Sequence, residues 1–132
     1  MKIKKGFTLL EMLVVIGIIA ILVSLGFASY STVQKKARDA KRQGDLKAAQ
    51  QVMEQCYSVN GFQYPDITNT SNTIAAICPA PNTSITFSIS DPINTGTYIY
   101  SITESTPVGS TYTITASDLE TSTSTFYVSN QQ

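Results

Sequence analysis

Hydrophobic residues follow three different patterns along the chain. After a short leader with three lysines, an apolar run covers residues 7–27 and is interrupted by a single charge, Glu11. At 1.5 Å per helical residue this run is about 30 Å long, which matches the hydrocarbon core of a bilayer. The run therefore predicts a membrane-spanning helix. A carboxylate inside such a helix is costly, so Glu11 requires a separate reason.

The pattern becomes amphipathic over residues 30–57. Apolar or small residues form two lines at helical spacing. The first line is Val33, Ala37, Ala40, Gly44, Ala48 and Val52, and the second is Leu46, Ala49, Met53 and Cys56 or Tyr57. The two lines suggest contact with neighbouring helices early and with the protein's own sheet later. Asn60 and Gly61, followed by Pro65, predict where the helix ends.

The last part of the chain indicates β-structure. Residues 66–81 are rich in Thr, Asn, Ala and Pro and are expected to form a loop. From Ile85 onward apolar and polar residues alternate, which predicts three or four strands at about 85–89, 98–102, 112–116 and 126–128. Short connections favour an antiparallel meander whose apolar face packs on the helix. The predicted fold class is α+β, a long N-terminal helix packed on a small antiparallel sheet of three to four strands.

These patterns, together with the leader that the family resemblance given below implies, divide the chain into five expected segments. They are a leader at 1–6, a transmembrane half-helix at 7–28, an amphipathic half-helix at 29–60, a helix-to-sheet loop at 61–83 and a sheet head at 84–132. The chain has room for one small domain beyond the membrane helix.

The formal net charge of zero conceals an uneven distribution. All nine Lys and Arg residues lie at or before Lys47. Loss of the three-lysine leader would leave six basic and nine acidic side chains, a net charge of 6 − 9 = −3. An acidic, Ser/Thr-rich head without basic residues is a poor surface for nucleic acid, so no nucleic-acid partner is expected.

The charged residues give no sign of an enzyme. There is no histidine, which removes imidazole as a base or metal ligand. The acidic residues Asp91, Asp118 and Glu120 are expected to be solvated loop residues, and the basic cluster at 35–42 a solvated or headgroup-facing surface. We therefore expect no catalytic residues, no cofactor and no metal. The two cysteines, Cys56 and Cys78, suit an oxidising compartment and are either one disulfide or two buried thiols.

Residues 4–15, with the sequence Lys-Lys-Gly-Phe-Thr-Leu-Leu-Glu-Met-Leu-Val-Val, resemble the class III signal of type IV pilins and type II secretion pseudopilins. The resemblance implies that a prepilin peptidase cuts between Gly6 and Phe7 and that Phe7 becomes the N-methylated first residue. It also implies that Glu11 is the glutamate used in assembly. Residues 57–65 are similar to the helix-end motif of major pilins and pseudopilins.

The physical chemistry agrees with this resemblance. Cleavage releases an amine at Phe7 that is positively charged near neutral pH, and methylation keeps the charge. In a low-dielectric helix bundle, the amine of one copy beside Glu11 of the next favours assembly. The expected function is thus a structural subunit of a type IV pilus-like or type II secretion pseudopilus filament. Expected partners are further copies of the chain, the prepilin peptidase, an assembly platform membrane protein and, indirectly, an assembly ATPase.

The expected location follows from the same resemblance. Before assembly the protein should cross the cytoplasmic membrane once, with a cytoplasmic N-terminus and an extracytoplasmic head. The leader lysines favour that orientation, although the basic cluster at 35–42 flanks the other end of the span. After assembly it should lie in an extracellular or periplasmic filament.

Several alternatives remain open. Thr8 and Glu11 also fit a capping box at the start of the helix. The apolar run could instead be a secretory signal cleaved after Ala28. The chain could also be a minor pilin serving as an adhesion or DNA-uptake module, although a DNA-binding head should show Lys or Arg beyond Lys47. The sequence does not distinguish pilus, pseudopilus and competence filament, or a major from a minor subunit.

Overall fold

The computed structural model describes residues 6–104, 109–122 and 124–131. It has a single long helix in the described part of the chain, α1 (Leu9–Val59), followed by six strands. The strands are β1 (Ile67–Thr70), β2 (Thr73–Ile77), β3 (Thr86–Ser90), β4 (Tyr100–Glu104), β5 (Tyr112–Ala116) and β6 (Phe126–Ser129). The chain divides into two compact units, residues 1–35 and residues 36–132.

The first unit is the N-terminal part of α1. Its apolar side chains are exposed along the whole run, from Leu9 at 81% to Phe27 at 73% of their accessible surface. This part of the helix buries no apolar stripe, because its sequence is apolar on all sides rather than amphipathic.

The second unit packs the remainder of α1 against the strands. The second predicted line of apolar residues is the helix's buried face, with Leu46, Ala49 and Met53 fully buried and Cys56 nearly so. The first predicted line is different, since Ala37, Ala40, Gly44 and Ala48 are exposed. The core is completed by Tyr64, which precedes β1, and by sheet residues, namely Ile74, Ala76, Phe87, Tyr100, Tyr112, Ile114, Ala116 and Val128.

The strands form two three-stranded antiparallel sheets, with orders β1-β2-β3 and β4-β5-β6. The α+β class is confirmed, and four strands lie beyond residue 84 where three or four were expected, but they belong to two sheets rather than to one. The expectation of a loop over 61–83 is wrong, because the β1–β2 hairpin lies within it, and the strand number rises from three or four to six.

Ser71 and Asn72 form the turn of the β1–β2 hairpin. Their φ angles are +52° and +60°, the left-handed pair that tight hairpins require. The composition rich in Thr, Asn and Ala hid the short strands on either side of this turn.

The end of α1 is where the sequence predicts it. Gly61 has φ +65°, and the N–H of Phe62 donates to the carbonyl of Tyr57 at 3.2 Å. This six-to-one bond is the Schellman arrangement, in which a left-handed residue satisfies carbonyls at the last turn.

Candidate functional site

The residues of the predicted processing site lie immediately before α1. Gly6, Phe7 and Thr8 precede the helix, which begins at Leu9, and all three are exposed. The ring of Phe7 retains 80% of its accessible surface. A peptide bond between Gly6 and Phe7 is therefore presented outside regular secondary structure, where a peptidase can reach it.

Glu11 and Thr8 form a capping box. The backbone N–H and the hydroxyl of Thr8 both donate to Oε2 of Glu11, at 2.7 and 2.8 Å. The N–H of Glu11 in turn donates to Oγ1 of Thr8 at 3.2 Å. The capping alternative is thus a real feature of the helix start. Among the described residues, the second carboxylate oxygen, Oε1, accepts no hydrogen bond and stays available to a partner.

The helix that follows presents an exposed apolar surface. Its large apolar residues between Leu9 and Phe27 keep from 44% to 81% of their accessible surface. By length and composition, α1 is the one helix in the described chain that could cross a membrane. The same surface could pack against other apolar helices.

A second group of charged residues lies inside the head. Arg42 is fully buried and donates to Asp91 through Nε at 2.6 Å and Nη2 at 3.0 Å. Its Nη1 donates to Asp39 at 2.6 Å and to Glu120 at 3.1 Å. Arg38 donates to Glu120 through Nε at 2.6 Å. We call these five residues the ionic cluster.

The ionic cluster holds loops as well as side chains. Asp39 accepts the backbone N–H groups of Glu120 and Thr121, each at 2.9 Å. Asp91 accepts the N–H of Ile93 at 2.8 Å. One turn of α1 therefore holds both the β3–β4 connection and the β5–β6 connection through hydrogen bonds and ion pairs.

Hydrogen bonds control the protonation of the cluster. Burial alone raises the pKa of Asp39 and Asp91, but bonds from Thr121 to the first and from Arg42 to the second outweigh it, so both pKa values lie below their ordinary range. The guanidinium of Arg38 holds the pKa of Glu120 low as well. All three carboxylates are charged near neutral pH.

The cluster corrects two sequence-based expectations. Asp91 and Glu120 are not solvated loop carboxylates, and the basic segment 35–42 is not wholly a solvated surface, since Arg42 is buried and Arg38 is paired. A signal was present in the sequence. Arg42 and Asp39 lie one and two helical turns before Leu46, respectively, on the face that becomes the core.

The end of α1 is fixed by covalent and polar contacts. Cys56 and Cys78 are joined by a disulfide across a sequence separation of 22. Glu54 accepts the hydroxyls of Tyr64 at 3.0 Å and Tyr112 at 3.2 Å. Burial, together with Glu54, raises the pKa of both phenols, which keeps them neutral hydrogen-bond donors.

The remaining basic side chains are lysines on the surface of α1. Lys36, Lys41 and Lys47 are exposed and have no salt-bridge partner in the described part of the chain. With Arg38 and Arg42 committed to carboxylates, these lysines are the cations of the second unit that an anionic partner can reach.

Two family models match the sequence. One, described as a prokaryotic N-terminal methylation motif, covers residues 1–27. The other, described as type IV minor pilin ComP, DNA uptake sequence receptor, covers residues 28–126, or 99 of the 132 residues. No curated protein and no solved structure gives a significant match to the chain.

Proposed function

The chain belongs to the type IV minor pilin ComP family, and from that membership we propose that it works as a minor subunit of a type IV pilus. The observation that carries the proposal is the exposed apolar half of α1 with Glu11 in its first turn. Exposing this apolar surface to water is unfavourable. The surface is suited to a bilayer before assembly and to a bundle of similar helices afterwards. Neither matched family is described as a secretion pseudopilus, so a pilus is the filament that we propose.

Processing prepares the chain for assembly. We assign the prepilin peptidase cut to the bond between Gly6 and Phe7, and N-methylation to Phe7. The new amine is positively charged, and the free Oε1 of Glu11 in a neighbouring subunit can receive it. Before assembly the protein lies across the cytoplasmic membrane with its N-terminus in the cytoplasm and its head outside.

Intact mass tests this route. The protein isolated from the cells that make it should lack residues 1–6 and carry one added methyl group. Fibres sheared from the same cells should contain the chain together with other pilins. Loss of the first 28 residues would instead indicate a secreted protein, and retention of the leader would exclude processing.

A second candidate function is DNA binding during uptake, and the family match over the head favours it. Phosphate contacts in the second unit would have to come from Lys36, Lys41 and Lys47, because its arginines are held by carboxylates, and Lys35 is a further exposed cation just before that unit. Such binding should weaken steeply as salt rises.

Fluorescence anisotropy with labelled duplex DNA tests the second candidate. Replacing Lys35, Lys36, Lys41 and Lys47 together by glutamine should abolish binding at low salt, whereas the exposed polar changes Gln51→Ala and Gln55→Ala should not. If the unchanged protein fails to bind at low salt, DNA uptake is excluded as a function of this head alone. The pilus proposal would be unaffected.

A further inference from the structure

We propose that the outward face of the sheet β4-β5-β6 binds a neutral, hydroxyl-rich polymer, namely a β-linked polysaccharide. The face is built from two rows of residues that pair across the three strands. Ser101, Thr115 and Tyr127 form one row, and Thr103, Thr113 and Ser129 form the other. The proposal goes beyond pilus assembly and does not depend on DNA binding.

The orientation of this face follows from the alternation of the strands. The residues that alternate with the two rows along the strands point to the core, and Tyr112, Ile114, Ala116 and Val128 are buried there. Successive side chains of a strand point to opposite sides of the sheet. The two hydroxyl rows therefore lie on the side that faces away from α1.

All six side chains of the face carry a hydroxyl group, and none carries a charge. In the part of the chain that the structure describes, none of these hydroxyls is engaged in a hydrogen bond. Each can donate one hydrogen bond and accept others, which is also what the hydroxyls of a sugar need. The absence of cations disfavours nucleic acid and acidic polymers here.

Tyr127 adds an aromatic surface to the hydroxyl rows. Its side chain keeps 64% of its accessible surface. An exposed tyrosine combines an apolar ring face, which can lie against the C–H face of a sugar, with a polar tip.

The high β-propensity of threonine explains why threonine occurs on this face. It does not explain why the face carries no charged side chain. Both β4 and β6 are edge strands, and exposed edges are usually protected from pairing by charged side chains. An uncharged array of hydroxyls that includes an exposed ring is therefore complementary to a neutral polysaccharide chain.

Binding to insoluble polysaccharide tests the proposal. The processed full chain, held in a polyoxyethylene detergent that contains no sugar, is mixed with cellulose or chitin beads, and the depletion from solution is measured. The unchanged protein should bind at least one of the two, equally well at low and high salt, because no charge takes part.

Three variants separate the contributions. Tyr127→Ala should weaken binding about tenfold through loss of the ring contact. Replacing Thr113 and Thr115 together by valine keeps their shape and strand preference but removes two hydroxyls, so binding should fall even though the face becomes more apolar. The control, Phe62→Ala, removes an aromatic of 73% exposure elsewhere in the head and should leave binding unchanged.

Four results would overturn the proposal. The unchanged protein could bind neither polysaccharide, or its binding could fall as salt rises. The valine variant could bind as well as, or better than, the unchanged protein, which would indicate non-specific apolar adsorption. The variants could alter self-association and leave polysaccharide binding intact, in which case the face is a contact between copies. Circular dichroism of each variant checks that a lost signal does not reflect unfolding.

Discussion

The backbone N–H of Thr8 and its hydroxyl both donate to the same oxygen of Glu11, at 2.7 and 2.8 Å. One carboxylate oxygen therefore caps the helix, and the other accepts no hydrogen bond among the described residues. A single glutamate can serve both helix capping and contact with another subunit, because the two roles use different oxygens. The capping reading and the assembly reading of residues 8–11 are compatible.

The two roles of Glu11 can be separated by substitution. Glu11→Gln keeps an acceptor oxygen for Thr8 but removes the charge, so we expect normal processing and at least tenfold fewer fibres, from a lost ion pair of about 1.4 kcal/mol or more in a low-dielectric bundle. Thr8→Val removes the hydroxyl and keeps the carboxylate, so it should cost about 1 kcal/mol of capping and leave fibre number near normal. Immunoblots of sheared and cell-bound fractions measure both. Normal fibre yield from Glu11→Gln would contradict the charge-pairing mechanism.

Arg42 should be the most important single charge for head stability. Arg42→Ala leaves the carboxylates of Asp39, Asp91 and Glu120 together without the buried guanidinium, and removal of one partner from a buried ion pair costs about 3–5 kcal/mol. Lys41→Ala, at the adjacent exposed position, should change the free energy of unfolding by less than about 0.5 kcal/mol. Denaturant unfolding of the two full-length variants in nonionic detergent provides the comparison. Equal stability would mean that the cluster is neutral overall.

The head should lose stability in acid. The folded-state pKa values of Asp39, Asp91 and Glu120 lie below their ordinary values, so the unfolded chain binds protons first as the pH falls. Their stabilisation is fully present above the ordinary range of about 3.9–4.3 and is lost as the pH passes down through the lowered values. The free energy of unfolding should therefore stay nearly constant down to about pH 5 and decrease as the pH falls further.

Asp91→Asn identifies the source of that acid sensitivity. The variant should be less stable at neutral pH, and its stability should depend less on pH, because one of the three linked carboxylates is gone. If its pH dependence is as steep as that of the unchanged protein, the loss in acid arises outside the cluster.

The disulfide should add stability by restricting the unfolded chain. For a closed loop of about twenty residues this effect is about 3 kcal/mol, and Cys56 and Cys78 are separated by 22 positions. The double change of both cysteines to serine should lower the denaturation midpoint accordingly. Reducing agent should destabilise the unchanged protein and have no effect on the double variant. An equal response of both proteins would show that the reductant acts elsewhere.

The features that the sequence predicted depend on neighbours in the chain. Asn60 and Gly61 end the helix through a local backbone requirement, and the alternation around Ile114 is a property of one strand. The capping box is likewise contained within residues 8–11. These signals can be recognised without knowledge of the tertiary structure.

The ionic cluster could not be predicted in the same way. Arg42 meets Asp91 and Glu120 across sequence separations of 49 and 78. Nothing in the sequence around Asp91 distinguishes a carboxylate that will be buried beside an arginine from one in water. Only the packing of the two loop connections on α1 makes that difference, and so the sequence alone predicts that these carboxylates are solvated.

The exposed apolar half of α1 restricts the environments in which a single subunit is stable. Transfer of that surface to water would be unfavourable at every turn, so a subunit should pass between lipid and fibre without a free intermediate. The bilayer would then act as a reservoir from which the fibre grows and into which it dissolves. The charge of Glu11 would favour the fibre in that exchange, because an amine can pair with it there and not in the lipid.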